Sequence, residues 1–131
     1  MRKHSQTCSA AGGFTLIELL VVMTIIATLL TLAVPRYFNS LDKSKEAVLR
    51  QDLATMRDAI DKYVADKGKY PESLESLAQD KYLRNIPVDP ITERSDTWLT
   101  STPDHSQLGG ISDVHSGAEG QGRDGLAYVE W

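Results

Sequence analysis

The sequence predicts an α+β fold in which a long N-terminal α-helix packs with its second half on a small antiparallel β-sheet head. Three observations predict it. Residues 14–34 form an apolar run with a single charge, which is long enough for a membrane-crossing helix. An amphipathic helical pattern follows directly. Short strand candidates separated by glycine-rich turns fill the C-terminal third. The 131 residues suffice for one small domain with such an extension.

The apolar run from Phe14 to Val34 predicts a helix that stays in the membrane. About 20 residues, rising about 1.5 Å each, cross the hydrocarbon core of a bilayer. A secretory signal peptide is the competing interpretation, because it also has a basic start and an apolar middle. The run exceeds the usual signal core of about 7–15 residues, and the helical pattern continues past Arg36. Arg2 and Lys3 place the N-terminus on the cytoplasmic side.

One carboxylate, Glu18, interrupts the apolar run near its start. A charged side chain in a membrane helix costs about 2.5–3.5 kcal/mol on insertion scales, so its presence needs a physical reason. Glu18 can extend to the lipid headgroups, which is the simple structural explanation. It can also pair with a cation, which is the functional explanation. Its position in the sequence leaves both open.

The stretch GFTLIELLVVMTIIATLLTLAVPRY resembles the N-terminus of type IV pilins and type II secretion pseudopilins. The shared pattern is a short basic leader ending in Gly13, then Phe14, an acid at the fifth position of the mature chain (Glu18), and Pro35 after the apolar run. The resemblance implies that a prepilin peptidase cuts between Gly13 and Phe14. It also implies that the new amino group of Phe14 is N-methylated.

The resemblance implies a pilin-like architecture and a role for Glu18 in assembly. Cleavage creates an α-amino cation on Phe14, which the Glu18 of a neighbouring subunit meets in the filament core. Removing one partner of a desolvated ion pair typically costs about 3–5 kcal/mol. Glu18 is therefore expected to set the axial register of an incoming subunit.

The same resemblance implies the domains, location and partners of the chain. The domains are a leader over residues 1–13, a transmembrane and filament-core helix over 14–34, and an amphipathic helix with a globular periplasmic head over 35–131. The expected location is the inner membrane, crossed once, and the pseudopilus after assembly. The expected partners are further copies of the chain, minor pseudopilins, the prepilin peptidase, the inner-membrane assembly platform, and membrane lipid before assembly.

The long helix is predicted to run from Phe14 to about Lys67 and to end at Gly68. Such a helix would be about 80 Å long. Pro35 lacks an N–H donor and is expected to kink it. In its second half, apolar residues recur mainly at three- and four-residue steps and predict the face that packs on the head. They are Leu41, Val48, Leu49, Leu53, Met56, Ile60, Tyr63 and Val64.

The head is predicted to contain a short helix, a rigid loop and three strands. Pro71 is expected to open the helix, with Glu72 and Glu75 in its first turn and Leu74, Leu77 and Leu83 in the core. Pro87 and Pro90 bracket an acid and predict the rigid loop. The Tyr70-Pro71 pair after the long helix and the later Pro-x-Asp-Pro motif, which ends at Pro90, resemble the major pseudopilins of type II secretion. The strand candidates are Thr97–Ser101, Gly110–His115 and Leu126–Trp131.

The segment DVHSGAEGQGRDG combines hard oxygen donors with four glycines. Calcium binds about 6–8 such oxygens, yet acidic glycine-rich turns are also ordinary solvated loops, so the residues alone leave both open. Major pseudopilins carry a structural calcium ion in the corresponding loop. The resemblance assigns it here to Asp113, Ser116 and Asp124, with backbone carbonyls such as that of Val114. The only cysteine, Cys8, lies in the leader, so a metal ion would replace disulfides as a staple.

Composition and motifs favour a structural protein over an enzyme. His115 lies near Asp113 and Ser116, but alternating strand residues point Ser116 to the other face, so we expect no catalytic triad. The net charge of −4 argues against a nucleic-acid partner. Three functions stay open: a pseudopilus subunit for secretion, a type IV pilin for adhesion, motility or DNA uptake, and a membrane-tethered enzyme or ligand-binding domain. The lack of a disulfide in the trimmed chain favours the first.

Overall fold

A computed structural model describes Lys3, residues 12–104 and residues 109–131. The elements are α1 (Leu16–Lys67), α2 (Leu74–Gln79), β1 (Leu99–Ser101), β2 (Asp113–His115) and a C-terminal 3₁₀ helix (Tyr128–Glu130). The long helix and the small antiparallel sheet confirm the predicted α+β class. Most of the predicted leader, including Cys8, and also His105 lie outside the described residues.

The chain divides into two units, one that ends at Phe38 and one that spans Asn39–Trp131. In the first unit, the large apolar side chains are solvent-exposed, from 89% at Phe14 to 45% at Val22 and Val34. Its three helical threonines direct their hydroxyls to carbonyls four residues earlier, each at 2.8 Å: Thr24 to Leu20, Thr28 to Thr24 and Thr31 to Ala27. These hydroxyls are satisfied without water, which suits a helix surrounded by hydrocarbon.

The two ends of α1 follow from local chemistry. The helix ends as predicted before Gly68, whose φ of 70° is a left-handed conformation that glycine adopts at low cost. Its N–H donates to the carbonyl of Val64 at 2.8 Å. Pro35 lies inside α1, where it cannot donate to the carbonyl of Thr31. The kink at Pro35 stays a prediction.

The core of the second unit forms between one face of α1 and the elements that follow it. The buried residues of α1 are Leu49, Leu53, Met56, Ala59, Ile60 and Tyr63. They join a cluster with Leu74, Leu77, Leu83, Trp98, Ile111 and Val114. The three leucines predicted to complete the core are thus confirmed. Leu41 and Val48 were predicted on the packed face but are exposed, at 37% and 49%.

The sheet has two strands, β1 and β2, paired antiparallel with Leu99 opposite His115 and Ser101 opposite Asp113. These strands fall within the first two predicted ones. Gly117 follows β2 and packs closely against the backbone of Thr97, just before β1. A Cβ atom at position 117 would lie 2.0 Å from the carbonyl oxygen of Thr97. Glycine is therefore required at this position by space.

The third predicted strand, Leu126–Trp131, is wrong, because Tyr128–Glu130 form the C-terminal 3₁₀ helix and Ala127 pairs with Gln121 in an isolated β-bridge. The N–H of Trp131 donates to the carbonyl of Tyr128 at 3.2 Å, which replaces strand pairing with a local bond. The i,i+3 spacing brings the two aromatic rings together in an edge-on contact, with centroids 5.1 Å apart. This aromatic contact explains why the helical turn forms where alternation suggested a strand.

The short helix α2 begins at Leu74, three residues later than Pro71 predicts. Ser73 is its N-cap and accepts a hydrogen bond from the N–H of Ser76 at 3.3 Å. Pro71 is instead fully buried, and its carbonyl accepts the N–H of Ile111 at 2.8 Å. The proline therefore joins the helix region to the segment before β2 rather than opening the helix.

Candidate functional site

The N-terminus of α1 is capped by a side chain that the sequence interpretation overlooked. The hydroxyl of Thr15 accepts a hydrogen bond from the backbone N–H of Glu18 at 3.2 Å. Thr15 and Glu18 have the Ser/Thr-x-x-Glu spacing of a capping box, which was visible in the sequence. Glu18 also lies in the first turn, where the helix dipole favours a negative charge.

Phe14 precedes the first helical residue, Leu16, and its side chain is 89% exposed. This differs from the prediction that α1 starts at Phe14, because Thr15 acts as the cap and its carbonyl accepts the N–H of Leu19 at 3.2 Å. Cleavage after Gly13, methylation of Phe14 and the assembly role of Glu18 stay predictions.

The first unit exposes a large apolar surface, whose contact with water is unfavourable. Its helical part is long and apolar enough to cross a membrane, and the most apolar stretch is not buried within the structure. An exposed contiguous apolar surface of this size marks contact with a membrane or another protein. Phe14, Glu18 and Pro35 lie along this unit. The surface can therefore be covered by lipid or by the same helix of other copies.

The first predicted calcium ligand, Asp113, pairs with an arginine. Its Oδ1 accepts the Nε–H of Arg57 at 2.8 Å and the N–H of Val114 at 2.8 Å. Burial works against ionisation of Asp113, but the hydrogen bonds from Val114 and Arg57 and the charges of Arg57 and His115 outweigh it and lower the pKa of its carboxyl. The carboxylate is thus charged and already faces a cation.

The other two predicted ligands also have protein partners. Asp124 accepts the Nη2–H of Arg50 at 3.0 Å through Oδ2 and the N–H of Leu126 at 3.1 Å through Oδ1. The hydroxyl of Ser116 donates to Asp89 and accepts the N–H of Ala118 at 3.1 Å.

In the described ranges 12–104 and 109–131, no three or more His, Cys, Asp or Glu side chains are grouped so that they can hold a metal ion. The donor set therefore does not fit a preformed calcium site, and calcium binding stays a prediction.

Asp89 is a buried acid. From the sequence it is recognisable only as an acid between Pro87 and Pro90. It is 0% exposed, and its Oδ1 accepts the N–H of Ile91 at 2.8 Å and that of Thr92 at 3.4 Å. The negative charge of Asp89 acts on Asp52. Burial, and then repulsion by Asp89, raise the pKa of the Asp52 carboxyl above its usual value of 3.8.

His115 contacts the main chain and one acid. Its Nδ1 lies 2.7 Å from the main-chain oxygen of Trp131, and its Nε2 lies 3.4 Å from Oδ2 of Asp113. Ser116 is directed to Asp89 instead. In a triad the histidine links the acid to the nucleophile, and these contacts do not make that link.

Comparison with known proteins agrees with the N-terminal pattern and extends beyond it. The family model described as the prokaryotic N-terminal methylation motif matches residues 8–34. The type II secretion system core protein G of Klebsiella michiganensis is 30% identical over 140 residues, covering 95% of this chain and 94% of that protein. That of Pseudomonas aeruginosa is 35% identical over 95 residues, covering 60% of this chain and 67% of that protein.

The core protein G of Escherichia coli is 31% identical over 94 residues, covering 60% of this chain and 65% of that protein. No solved structure matches the chain significantly. The likeness to the Klebsiella michiganensis protein includes the head as well as the N-terminal helix, since it spans nearly the full length of both chains. The chain therefore belongs to the type II secretion system core protein G family.

Proposed function

We propose that this protein is a structural subunit of a type II secretion pseudopilus, which polymerises through its N-terminal helix to drive protein export across the outer membrane. The exposed apolar part of α1, with its one acid at the capped end, carries this proposal. Membership in the core protein G family supports secretion over the alternative of a type IV pilin for adhesion, motility or DNA uptake.

The chemistry of α1 suits both a membrane and a filament. Before assembly, lipid covers the apolar side chains from Leu16 to Val34, and the threonine hydroxyls are satisfied by the helix itself. After assembly, the same surfaces of other copies replace the lipid. Side-chain packing between helices drives this exchange, because lipid tails are as apolar as the helices themselves.

The acid at Glu18 gives this apolar association a defined register. Cleavage between Gly13 and Phe14 supplies an α-amino cation, and the methylation motif over residues 8–34 supports processing at this place. In a low-dielectric filament core, an incoming subunit is fully satisfied only when its Phe14 amine meets the Glu18 of a neighbour. Glu18 thus acts as an assembly residue rather than a catalytic one.

The proposed location and partners follow from this role. The helix crosses the inner membrane once, with the head in the periplasm. The prepilin peptidase processes the chain, and the inner-membrane assembly platform adds it to a filament of further copies and minor pseudopilins. The helix near the N-terminus, which is the one membrane-spanning candidate among the described residues, supports this arrangement.

Substitution of Glu18 tests the proposal. Glu18→Ala is expected to insert and be cleaved normally, yet to lose more than tenfold in sheared filament, since about 3–5 kcal/mol is lost at each unpaired contact. Glu18→Gln is expected to fail similarly, because it keeps the size but not the charge. Immunoblots of membrane and sheared fractions measure both steps.

The matched control is Glu72→Ala, which removes an exposed acid of the head. It is expected to assemble as the wild type does. Normal filament yield from Glu18→Ala would reject the register role and support simple contact of Glu18 with the headgroups.

A further inference from the structure

We propose that two arginines of α1, Arg57 and Arg50, hold the C-terminal segment of the head in place, so that the head is stable without a bound metal ion. The C-terminal segment here is residues 113–131. The predicted calcium donors are the starting point, because most of them contact an arginine. This inference is independent of filament assembly and concerns only the second unit of the chain.

Arg57 joins two separate parts of the C-terminal segment, strand β2 and Trp131. Its Nε donates to Oδ1 of Asp113 at 2.8 Å, and its Nη2 donates to the carbonyl of Val114 at 2.9 Å and to the main-chain oxygen of Trp131 at 2.6 Å. Asp113 and Val114 are two of the predicted calcium donors. The guanidinium of Arg57 is therefore the cation that these oxygens contact, where a metal ion was expected.

Arg50, two helical turns earlier on α1, holds the interior of the segment at Asp124. Its Nη2 donates to Oδ2 of Asp124 at 3.0 Å, which takes up the third predicted donor. Its guanidinium carbon also lies 4.4 Å from the ring centroid of Trp131, a cation–π contact. Arg50 and Arg57 therefore both contact Trp131, one through the ring and one through the backbone.

The packing around Trp131 shows that this arrangement is specific. A Cβ atom at Gly122 would be 2.2 Å from Cζ2 of Trp131, so the ring lies directly on the backbone of the glycine-rich loop. The ring of Tyr128 contacts Trp131 edge-on, and the Tyr128 hydroxyl lies 3.3 Å from Oε1 of Glu46 on α1. The guanidinium of Arg50 and the side chains of Tyr128 and Trp131 thus hold the loop against α1.

An arginine suits these acceptors better than calcium does. The guanidinium is planar, permanently charged and offers five N–H donors, which match one carboxylate and two main-chain oxygens in different directions. Calcium needs about 6–8 oxygens around one point. An incoming calcium ion would have to displace Arg57 from Asp113 and Arg50 from Asp124, leaving two cations beside it.

Thermal unfolding of the full chain in detergent tests the inference, with EGTA and with added calcium as the two conditions. The wild-type Tm is expected to be the same in both, and metal analysis is expected to find no bound calcium. Arg57→Gln is expected to lower the Tm by about 4–8 °C. Arg57→Lys is expected to lower it too, since one ammonium group cannot reach three acceptors in different directions.

Lys62→Gln is the matched control, because Lys62 forms an exposed pair with Asp58 on the same helix at 2.8 Å. It is expected to leave the Tm unchanged, as exposed pairs contribute little. A wild-type Tm that falls in EGTA and recovers with calcium would overturn the inference. So would an Arg57→Gln variant that melts at the wild-type temperature.

Discussion

Among single residues, Asp89 shows how a carboxyl group can be buried in this small head. It is held by the hydroxyl of Ser116 and by backbone N–H groups of its own turn, including that of Ile91. The neighbouring prolines predict a rigid turn around Asp89, and that part follows from local chemistry. Its burial could not be predicted, because Ser116 lies 27 residues further along the chain.

The partial burial of Asp52, together with repulsion by Asp89, predicts a pH-dependent contribution of Asp52 to stability. The folded chain raises the pKa of Asp52 above 3.8, so the native state binds this proton more tightly than the unfolded state does. Ionised Asp52 therefore lowers the stability of the folded state. This loss of stability disappears as the pH falls through the raised pKa of the folded state and below 3.8, the usual value. Asp52→Asn is expected to raise the Tm at neutral pH.

Thermal melts of Asp52→Asn and wild type across pH check this. The gain is expected to disappear at acidic pH, where Asp52 is protonated in both states. A gain that is independent of pH would contradict the assignment, since it would not come from the charge.

At the scale of elements, the end of α1 before Gly68 was predicted correctly, whereas the cap at Thr15 was overlooked and the length of the buried face was overestimated. Thr15, Glu18 and Gly68 act locally, and their spacing is visible in the sequence. The buried face depends on how far the head extends along the helix. Leu41 and Val48 continue the apolar stripe but lie where the described part of the head leaves them exposed. Periodicity identifies the stripe and not its covered length.

Two substitutions on α1 test the position of the covered face. Leu53 is 2% exposed and Val48 is 49% exposed. Leu53→Ala is expected to cost about 2–5 kcal/mol of unfolding free energy, because it leaves a cavity in the core. Val48→Ala is expected to change it by less than about 0.5 kcal/mol. Chemical denaturation of the two variants measures the difference, and equal losses would contradict the described packing.

At the scale of the whole molecule, the sequence predicted the long helix, the two strands and the family resemblance, because each depends on local pattern. It failed where distant partners decide. Within the predicted strand Leu126–Trp131, residues Tyr128–Glu130 form a 3₁₀ helix, and the distant partner of this segment is Arg50, which lies over the ring of Trp131. The predicted calcium donors were recognised as a group, but their arginine partners lie more than fifty residues earlier.

The proposed function depends on an N-terminal helix whose large apolar side chains are exposed and on Glu18, which we propose gains a partner only after processing. Mass spectrometry of the N-terminal peptide from the membrane-bound protein tests this claim most directly. We predict a mature chain that begins at Phe14 and carries one methyl group on its amine. A mature chain that begins at Met1, or beyond Ala33, would contradict the account, because no cation would then arise next to Glu18.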